Sequence, residues 1–474
     1  MSEAVLEKKA GFPKGIPYII ATEVAERFSF YGMSGILPIF LVDQFFNPHA
    51  VAGLQTVAEA RSNELTHLFV TLAYFVPLIG GILADWFFGK YKVILYVAFL
   101  YCAGHLMLAL FDTRLNLFEC GIIFIAIGAG GIKSNVSAIL GDQMTRSNEH
   151  LMSKVFGWYY FGVNTGSVLA TISIPVVYKY YGAKWAFGIP GVFMALAALV
   201  FFLGRNRYKQ VSPSGIRKDN FLAILFFMIK ASLNKVTGQT VLQRTEKQFS
   251  SESIEGLFAV KRLLGVLVFI PIFWAMWYQS LSEWVLQAGK LDLHFMGQVL
   301  LPAQVQSFNP FFILATIPAF TYGLYPFLEK IGIRCTPLRK IGAGLFFCLL
   351  SFCIIALLQG QIDLGNHPTV WWQIIAYLLL TFSEVLVSVT FLEYAYTQSP
   401  PKLKSTMTAI WWLTLAAGNL FTALVNRSIS NKGIFSYFTG ARYYWLFVII
   451  MSVFLILYLL VSPTIKEKTY LAQA

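Results

Sequence analysis

Residues 205–258 read RNRYKQVSPSGIRKDNFLAILFFMIKASLNKVTGQTVLQRTEKQFSSESIEGLF, and they divide the chain. Both flanks are basic and polar. Between them lies one apolar patch, NFLAILFFMIKASL (220–233). A membrane span needs about 20 apolar residues, so this patch predicts an amphipathic helix lying at an interface rather than a crossing. Working outward, apolar runs long enough to span stand on both sides. Before the linker they fall at about 16–45, 64–88, 91–112, 117–141, 154–178 and 184–204. After it they fall at about 259–287, 306–329, 338–359, 370–397, 404–429 and 440–462. The composition agrees: 57% of residues are hydrophobic and only 12% charged, about half the charge of a soluble domain. The mean hydropathy is +0.65.

The loops set the expected topology. Lys8, Lys9 and Lys14 precede the first run. Lys90 and Lys92, Arg146 and Lys154, the 205–262 stretch, Arg334, Arg339 and Lys340, Lys402 and Lys404, and Lys466 and Lys468 follow at every second connection. The alternate loops are poorer in basic residues. Cytoplasmic loops carry the Lys/Arg excess, so twelve spans with both termini cytoplasmic are predicted. Six spans, a basic linker and six more spans is the layout of the major facilitator architecture, two related halves with substrate bound between them at the midplane. The expected fold class is therefore an all-α membrane protein. Its expected parts are an N-terminal six-helix bundle (1–204), a cytoplasmic linker with an amphipathic helix (205–258) and a C-terminal six-helix bundle (259–474).

Other classes are excluded. The net charge of +13 would suggest nucleic acid in a soluble protein, but here the basic residues sit between apolar runs. Cys102, Cys120, Cys335, Cys348 and Cys353 have no paired spacing and the six histidines are scattered. No disulfide framework, metal site or cofactor is expected. The first residues, MSEAVLEKKAGFPKG, lack the apolar core of a signal peptide. No nucleophile–base set stands within the spans, so no enzyme is expected, and no obligate protein partner is implied.

Ionisable residues inside spans are costly and mark functional positions. In TEVAERFSFYG (22–32), Glu23, Glu26 and Arg27 share one helical face by their spacings of three and four. Glu23 can pair with Arg27, and two carboxylates against one guanidinium leave an acid that can carry a proton. The second run opens with His67, and Tyr74 follows seven residues on, on the same face. A lone histidine in a span is more often a satisfied core residue, and spacing leaves His67 open; His105 is read as core. GGILADWFFGKYK (80–92) ends the second run, and its Gly81, Asp85, Gly89 and Lys90 resemble the loop motif between spans two and three of major facilitators, which implies that they brace helix ends at an inside-facing gate. Lys133, in IAIGAGGIKSNVSAILGDQM (125–144), follows glycines that permit close helix approach. Glu384 stands mid-span in the tenth run, with no basic residue on that span to pair with. Tyr31, Tyr160, Trp274 and Trp411 stand near the ionisable residues on their own spans and are candidates for a pocket.

These stretches resemble those of proton-coupled oligopeptide transporters, the peptide transporter family of the major facilitators. TEVAERFSFYGM resembles the family's E-x-x-E-R-F signature, and GAGGIKSNVSAILGDQM its fourth-span signature. SEVLVSVTFLEYAYTQSPPKLKSTMTAIWWLTLAAGN (383–419) resembles its tenth and eleventh spans. FFGKYK, GWYYFGVNTGS, IFWAMWYQS and QSFNP match in order. The resemblance implies that Glu23, Glu26, Arg27 and His67 form the proton-coupling cluster. It implies that Lys133, with Arg27, meets the peptide carboxylate, that Glu384 takes the peptide amino end, and that Tyr31, Tyr74, Tyr160, Asn164, Trp274, Asn309 and Trp411 line the pocket. The chain departs at two positions. Ser34 stands where many peptide carriers have an Arg, and Tyr278 stands where animal members pair an Asp with the arginine matched by Arg262.

The expectation is a symporter that imports di- and tripeptides with protons by alternating access, in the plasma or inner membrane. A zwitterion of two or three residues spans about 3.5 Å per residue, enough to bridge a cationic and an anionic wall. The alternative is a proton-coupled carrier of nitrate or another small anion or metabolite, which would not need Glu384 as an amine partner.

Overall fold

The computed structural model describes residues 12–144, 148, 151–213, 215, 221–233, 240–398 and 404–465. Lys8, Lys9, Arg146, Lys402, Lys466 and Lys468, used in the loop count above, lie outside the described residues. Among the described residues, eleven helices are long and apolar enough to cross a membrane. In order they are Ile16–Phe46, Gln55–Phe88, Lys90–Leu110, Leu115–Asp142, Lys154–Tyr181 and Ala183–Leu203, then Pro302–Lys330, Pro337–Asp363, Trp371–Ala395, Ala409–Ser430 and Ala441–Thr464. A pair, Phe258–Leu267 and Ile270–Ala288, bent by 45°, makes the twelfth crossing and the seventh in chain order. This is a multi-pass membrane protein with the major facilitator fold. The spans are numbered one to twelve below.

Backbone groups in hydrocarbon must be satisfied within the segment, which is why nearly every residue of the runs is helical. The breaks fall where the sequence removes a donor or widens a turn. Pro271 follows the bend of span 7, and a proline cannot donate to the preceding turn. Wide turns stand at Val42–Phe46, Ala84–Phe88, Ala319–Leu324 and Val385–Val389.

Two boundaries differ from expectation. Span 2 starts at Gln55 rather than about 64, so Arg61, expected in a loop, is helical. Its charges are matched by neighbours. Glu59 pairs with Lys290 at 2.7 Å, the Arg61 guanidinium lies 4.8 Å from the Phe46 ring centre, and Arg427 lies 3.8 Å from Glu64. A hydropathy count stops at such charges; the helix continues because each has a partner. Likewise the QGQIDLGNHPTV connection between spans 9 and 10 is helical through Asp363.

Spans 1, 5 and 6 pack together, as do spans 2, 3 and 4 and, after the linker, spans 9, 10 and 12. Span 2 also runs along span 11, and span 5 meets span 8. At Gly166 a Cβ would come within 2.4 Å of the Val24 carbonyl oxygen and 3.1 Å of the Arg27 Cβ. Only glycine lets span 5 approach the acidic face of span 1 that closely. In the linker, Phe221–Leu233 forms a helix. Arg244 donates to the Ala231 carbonyl near that helix's last turn, and Phe226 and Leu233 are left exposed. Beyond span 7 a two-stranded hairpin, His294–Phe295 with Gln298–Val299, sits at the end that also holds the loop between spans 1 and 2. There the His294 ring contacts Asp292 at 2.6 Å and holds that exposed carboxyl below its usual range. This is called the first-loop end below.

Candidate functional site

Span 1 supplies a buried charge cluster. Arg27 Nε lies 3.0 Å from Glu23 Oε1 and 2.6 Å from Glu26 Oε2. Neither approach is aligned as a hydrogen bond, and both Glu26 oxygens lack a hydrogen-bond partner among the described residues. The cluster is thus held by charge, two acids on one cation, as the spacing predicts. Phe30, one turn on, carries two cations on its ring: the Arg27 guanidinium at 5.7 Å and Lys133 Nζ at 3.8 Å. Lys133 Nζ also lies 3.9 Å from the Tyr74 ring centre. Aromatic faces attract such cations, but they supply no acceptor, and Nζ has no hydrogen-bond partner among the described residues. Span 4 brings Lys133 this close because its glycines pack on span 2; a Cβ on Gly80 would stand 3.0 Å from the Gly131 Cα.

A cavity of about 570 Å³ opens between spans 1 and 5 on one side and spans 7, 8 and 10 on the other. Tyr31, Tyr160 and Asn164 line the first wall, and Trp277, Asn309 and Glu384 the second. Glu384 ends a regular helix, Trp371–Glu384, just before the wide turn Val385–Val389; such turns are frequent at functional sites. Its Oε2 accepts from Trp277 Nε1 at 3.0 Å and from Asn309 Nδ2 at 2.9 Å. Asn309 is itself oriented by Thr381 Oγ1 at 3.1 Å. These donors are neutral, and none of the described ion pairs includes Glu384.

Of the residues expected at the pocket, Tyr31, Tyr160, Asn164, Asn309 and Glu384 line this cavity. Arg27, Tyr74, Lys133, Trp274 and Trp411 do not; they form a buried layer beside it. Tyr74 stacks on Trp412 at 5.4 Å and meets Tyr278 at 5.4 Å. Trp274 meets Trp411 at 5.5 Å, and Trp411 stacks on Phe391 at 4.7 Å. Tyr278 therefore takes an aromatic place in this layer. Ser34 donates to its own helix at the Phe30 carbonyl, 2.8 Å away, and does not stand in for a cation.

His67 is fully buried and joins spans 2, 7 and 11. Its Nδ1 lies 2.8 Å from Asn419 Oδ1, and its Nε2 lies 3.0 Å from Glu283 Oε2 and 2.9 Å from Ser282 Oγ. Glu283 Oε1 also accepts from Tyr443 at 2.7 Å and Asn426 at 3.0 Å. Sequence reasoning missed Glu283. The signal was available: a carboxylate in the apolar run IFWAMWYQSLSEWVLQ meets the same criterion that singled out Glu384. His105, by contrast, is a satisfied core residue, 2.8 Å from Ser29 Oγ and stacked on Tyr101 at 5.3 Å.

At the other end from the first loop, Lys90 Nζ contacts Asp142 Oδ2 at 2.7 Å and ties span 3 to the end of span 4. Asp85 lies in the wide turn Ala84–Phe88, closed by Gly89 at φ +80°, where a side chain would be strained.

The pattern of the POT family matches residues 91–446, spans 3 to 11 and the start of span 12. Among curated proteins the chain is similar to peptide transporter 3 of Caenorhabditis elegans, at 35% identity over 76% of this chain and 53% of the relative. It is similar to solute carrier family 15 member 2 of Mus musculus, at 32% identity over 76% of this chain and 50% of the relative. The chain thus spans about half the length of the curated relatives it matches. Among solved structures it resembles the POT family transporter PepTSo, with 34% identity, a TM-score of 0.89, and coverage of 96% of this chain and 99% of the other. A proton-dependent oligopeptide (POT) family transporter gives 34% identity, a TM-score of 0.77, and coverage of 95% and 100%. With most of its spans inside that pattern and its fold shared end to end with transporters so named, the chain belongs to the POT family, a family of transporters and not of enzymes.

Proposed function

We propose that this protein is a proton-coupled symporter that imports di- and tripeptides across a cell membrane by alternating access. The observation that carries the reading is a pair of charges near the central cavity that form no ion pair among the described residues. Lys133 rests on aromatic faces with no acceptor, and Glu384 is held only by neutral donors. A peptide zwitterion supplies a carboxylate to one and an ammonium to the other. Asn164, Tyr31 and Tyr160 then meet the backbone and side chains, and the aromatic layer of Tyr74, Trp274 and Trp411 backs the wall without touching the substrate. Relatives named peptide transporters support the same substrate class.

Residues 1–204 and 259–474 act as two bundles on this reading, joined by 205–258 in the cytoplasm, with both termini on that side. The first-loop end faces outward and is closed. Glu59–Lys290, His67–Glu283 and the Gln306 side chain on the Gly35 carbonyl at 3.4 Å all cross between the bundles there. Protonation of an acid in the Glu23–Glu26–Arg27 cluster weakens an ion pair, and a proton arriving at the His67–Glu283 contact changes its charge, so proton movement is coupled to opening. Asp85 and Lys90 brace the opposite gate.

The test is uptake of labelled dialanine into proteoliposomes under an imposed inward proton gradient. Concentrative uptake that collapses with the gradient, and that unlabelled dipeptides but not nitrate compete away, supports the reading. Uptake of nitrate without peptide competition refutes it in favour of an anion carrier. Cysteines placed at Ser2, Gly365 and Gln473 test the topology: only Gly365 should react with an impermeant reagent from outside, and outside labelling at Ser2 would overturn it.

A further inference from the structure

A second cavity, of about 650 Å³, opens at the first-loop end between spans 2, 7, 9, 11 and 12. It shares no lining residue with the central cavity. At its mouth stands the Glu59–Lys290 ion pair, partly exposed to solvent. At its floor stands buried Glu283, bonded to His67. Two polar stripes connect them. On span 2, Thr56, Glu59, Asn63 and His67 follow at spacings of three, four and four. On span 7, Glu283 and Gln287 stand four apart, and Lys290 follows in the turn just past the helix end at Ala288. Such spacings keep the helical residues of each set on one face, and both faces turn into the same cleft.

The cleft carries an unmet polar group. Asn63 is 5% exposed, and its Oδ1 has no hydrogen-bond partner among the described residues. A buried polar atom of this kind calls for water, and a cavity with several polar partners holds it. The titratable and charged neighbours around Glu283 in this cleft are His67 and Glu59 from span 2, Lys290 from the turn after span 7, Asp363 from span 9, and Tyr443 and Tyr444 from span 12. Span 11 adds the neutral Asn419 and Asn426. Gln287 donates to Gln359 at 2.9 Å, and Gln359 donates to Asp363 at 2.9 Å, so the far wall is polar as well.

We propose that this cleft is the port through which protons from the first-loop end reach His67–Glu283, separate from the cavity that takes the substrate. A hydronium ion hands its proton to the Glu283 carboxylate and leaves water behind; the neutral acid then holds His67 less strongly. The proposal rests on the proton-coupled reading above.

The test fills the cleft with apolar side chains that never touch the central cavity. Asn63→Leu and Gln287→Leu in proteoliposomes should slow proton-driven dialanine uptake at least tenfold. Dialanine Kd, measured at equilibrium and fixed pH, should change less than twofold, because a port alters rate and not affinity. Asn63→Ser, which keeps the cleft wet, should recover most of the uptake and shows that Leu acts through drying rather than misfolding. Unchanged uptake in both Leu variants refutes the port. A second arm needs no peptide: Asn63→Cys, in a variant lacking the five native cysteines, should react with aminoethyl methanethiosulfonate applied from the first-loop side, at the same rate with or without dialanine. A thiol that does not react refutes the port, and a thiol that reacts in a protein indifferent to dialanine keeps the port and overturns the peptide reading.

Discussion

Replacing Glu384 by Gln isolates charge from shape at the second wall of the cavity. In the native protein Trp277 Nε1 and Asn309 Nδ2 both donate to Oε2, and a glutamine amide oxygen can accept both bonds. The scaffold therefore survives, and what changes is the other half of the group, from an anionic oxygen to an NH2. An arriving ammonium loses its counter-charge and meets a donor. Losing one partner of a desolvated charge pair costs about 2–5 kcal/mol, and each 1.4 kcal/mol is about a decade in affinity. Dialanine should bind at least tenfold more weakly to Glu384→Gln, whereas N-acetyl-dialanine, already poor in the wild type, should lose less than threefold. Isothermal titration of both ligands against both proteins reads this directly. Equal losses for the two ligands, or tight binding of the blocked peptide by the wild type, would refute the assignment of Glu384 to the amino end. A drop in melting temperature would show instead that the amide does not fit the Trp277–Asn309 cradle.

Lys133→Gln should weaken free dipeptide about tenfold or more, since a hydrogen bond to a charged group contributes about 1.5–3 kcal/mol, and should leave C-terminally amidated dipeptide within threefold; equal effects on both would remove Lys133 from carboxylate binding. Combining Glu23→Gln, Glu26→Gln and His67→Asn should abolish concentrative uptake while leaving some peptide exchange at equal pH, and accumulation against a gradient in that variant would overturn the coupling assignment. Gly166→Leu forces side-chain atoms into the Val24 carbonyl and the Arg27 stem; overpacking costs about 1–3 kcal/mol, so its melting temperature should fall, and an unchanged value would show that spans 1 and 5 are free to part.

The parts of the site legible in the sequence are those where one span carries the whole message. The spacing of Glu23, Glu26 and Arg27 places all three on one face, and the structure puts both acids on the one guanidinium. An isolated carboxylate in an apolar run identifies Glu384. What the sequence hides are partners from other spans. Nothing local says that Trp277 and Asn309 converge on Glu384, or that Glu59 and Glu64 are matched by Lys290 and Arg427. That is why span 2 read as starting nine residues late. Aromatic residues fail for a related reason. Tyr31 and Tyr160 line the cavity while Trp274 and Trp411 stack behind it, and wall and backing layer have the same composition.

The two departures from the family pattern and the missed acid belong together. Tyr278 removes a carboxylate from span 7 at the position where animal relatives place one, and Glu283 restores one five residues later. The chain between them is a tighter turn, Tyr278–Leu281, closed by non-helical Ser282, and it carries the acid further toward the first-loop end. At 278 the side chain now packs on Tyr74 and Trp274. At 283 the acid meets His67, Tyr443 and Asn426. Ser34 is turned to its own backbone. The charge on span 7 has thus moved out of the aromatic layer and onto the floor of the polar cleft. A buried carboxylate needs partners or a proton, and at its new position it has a histidine on one side and the polar cleft on the other. Restoring the pattern by Tyr278→Asp alone would place a second acid among aromatic rings, beside Tyr74, whose ring Lys133 also meets. That single change should lower stability, whereas pairing it with Ser34→Arg should recover much of the loss; a double variant no more stable than the single one would show that the two positions do not meet.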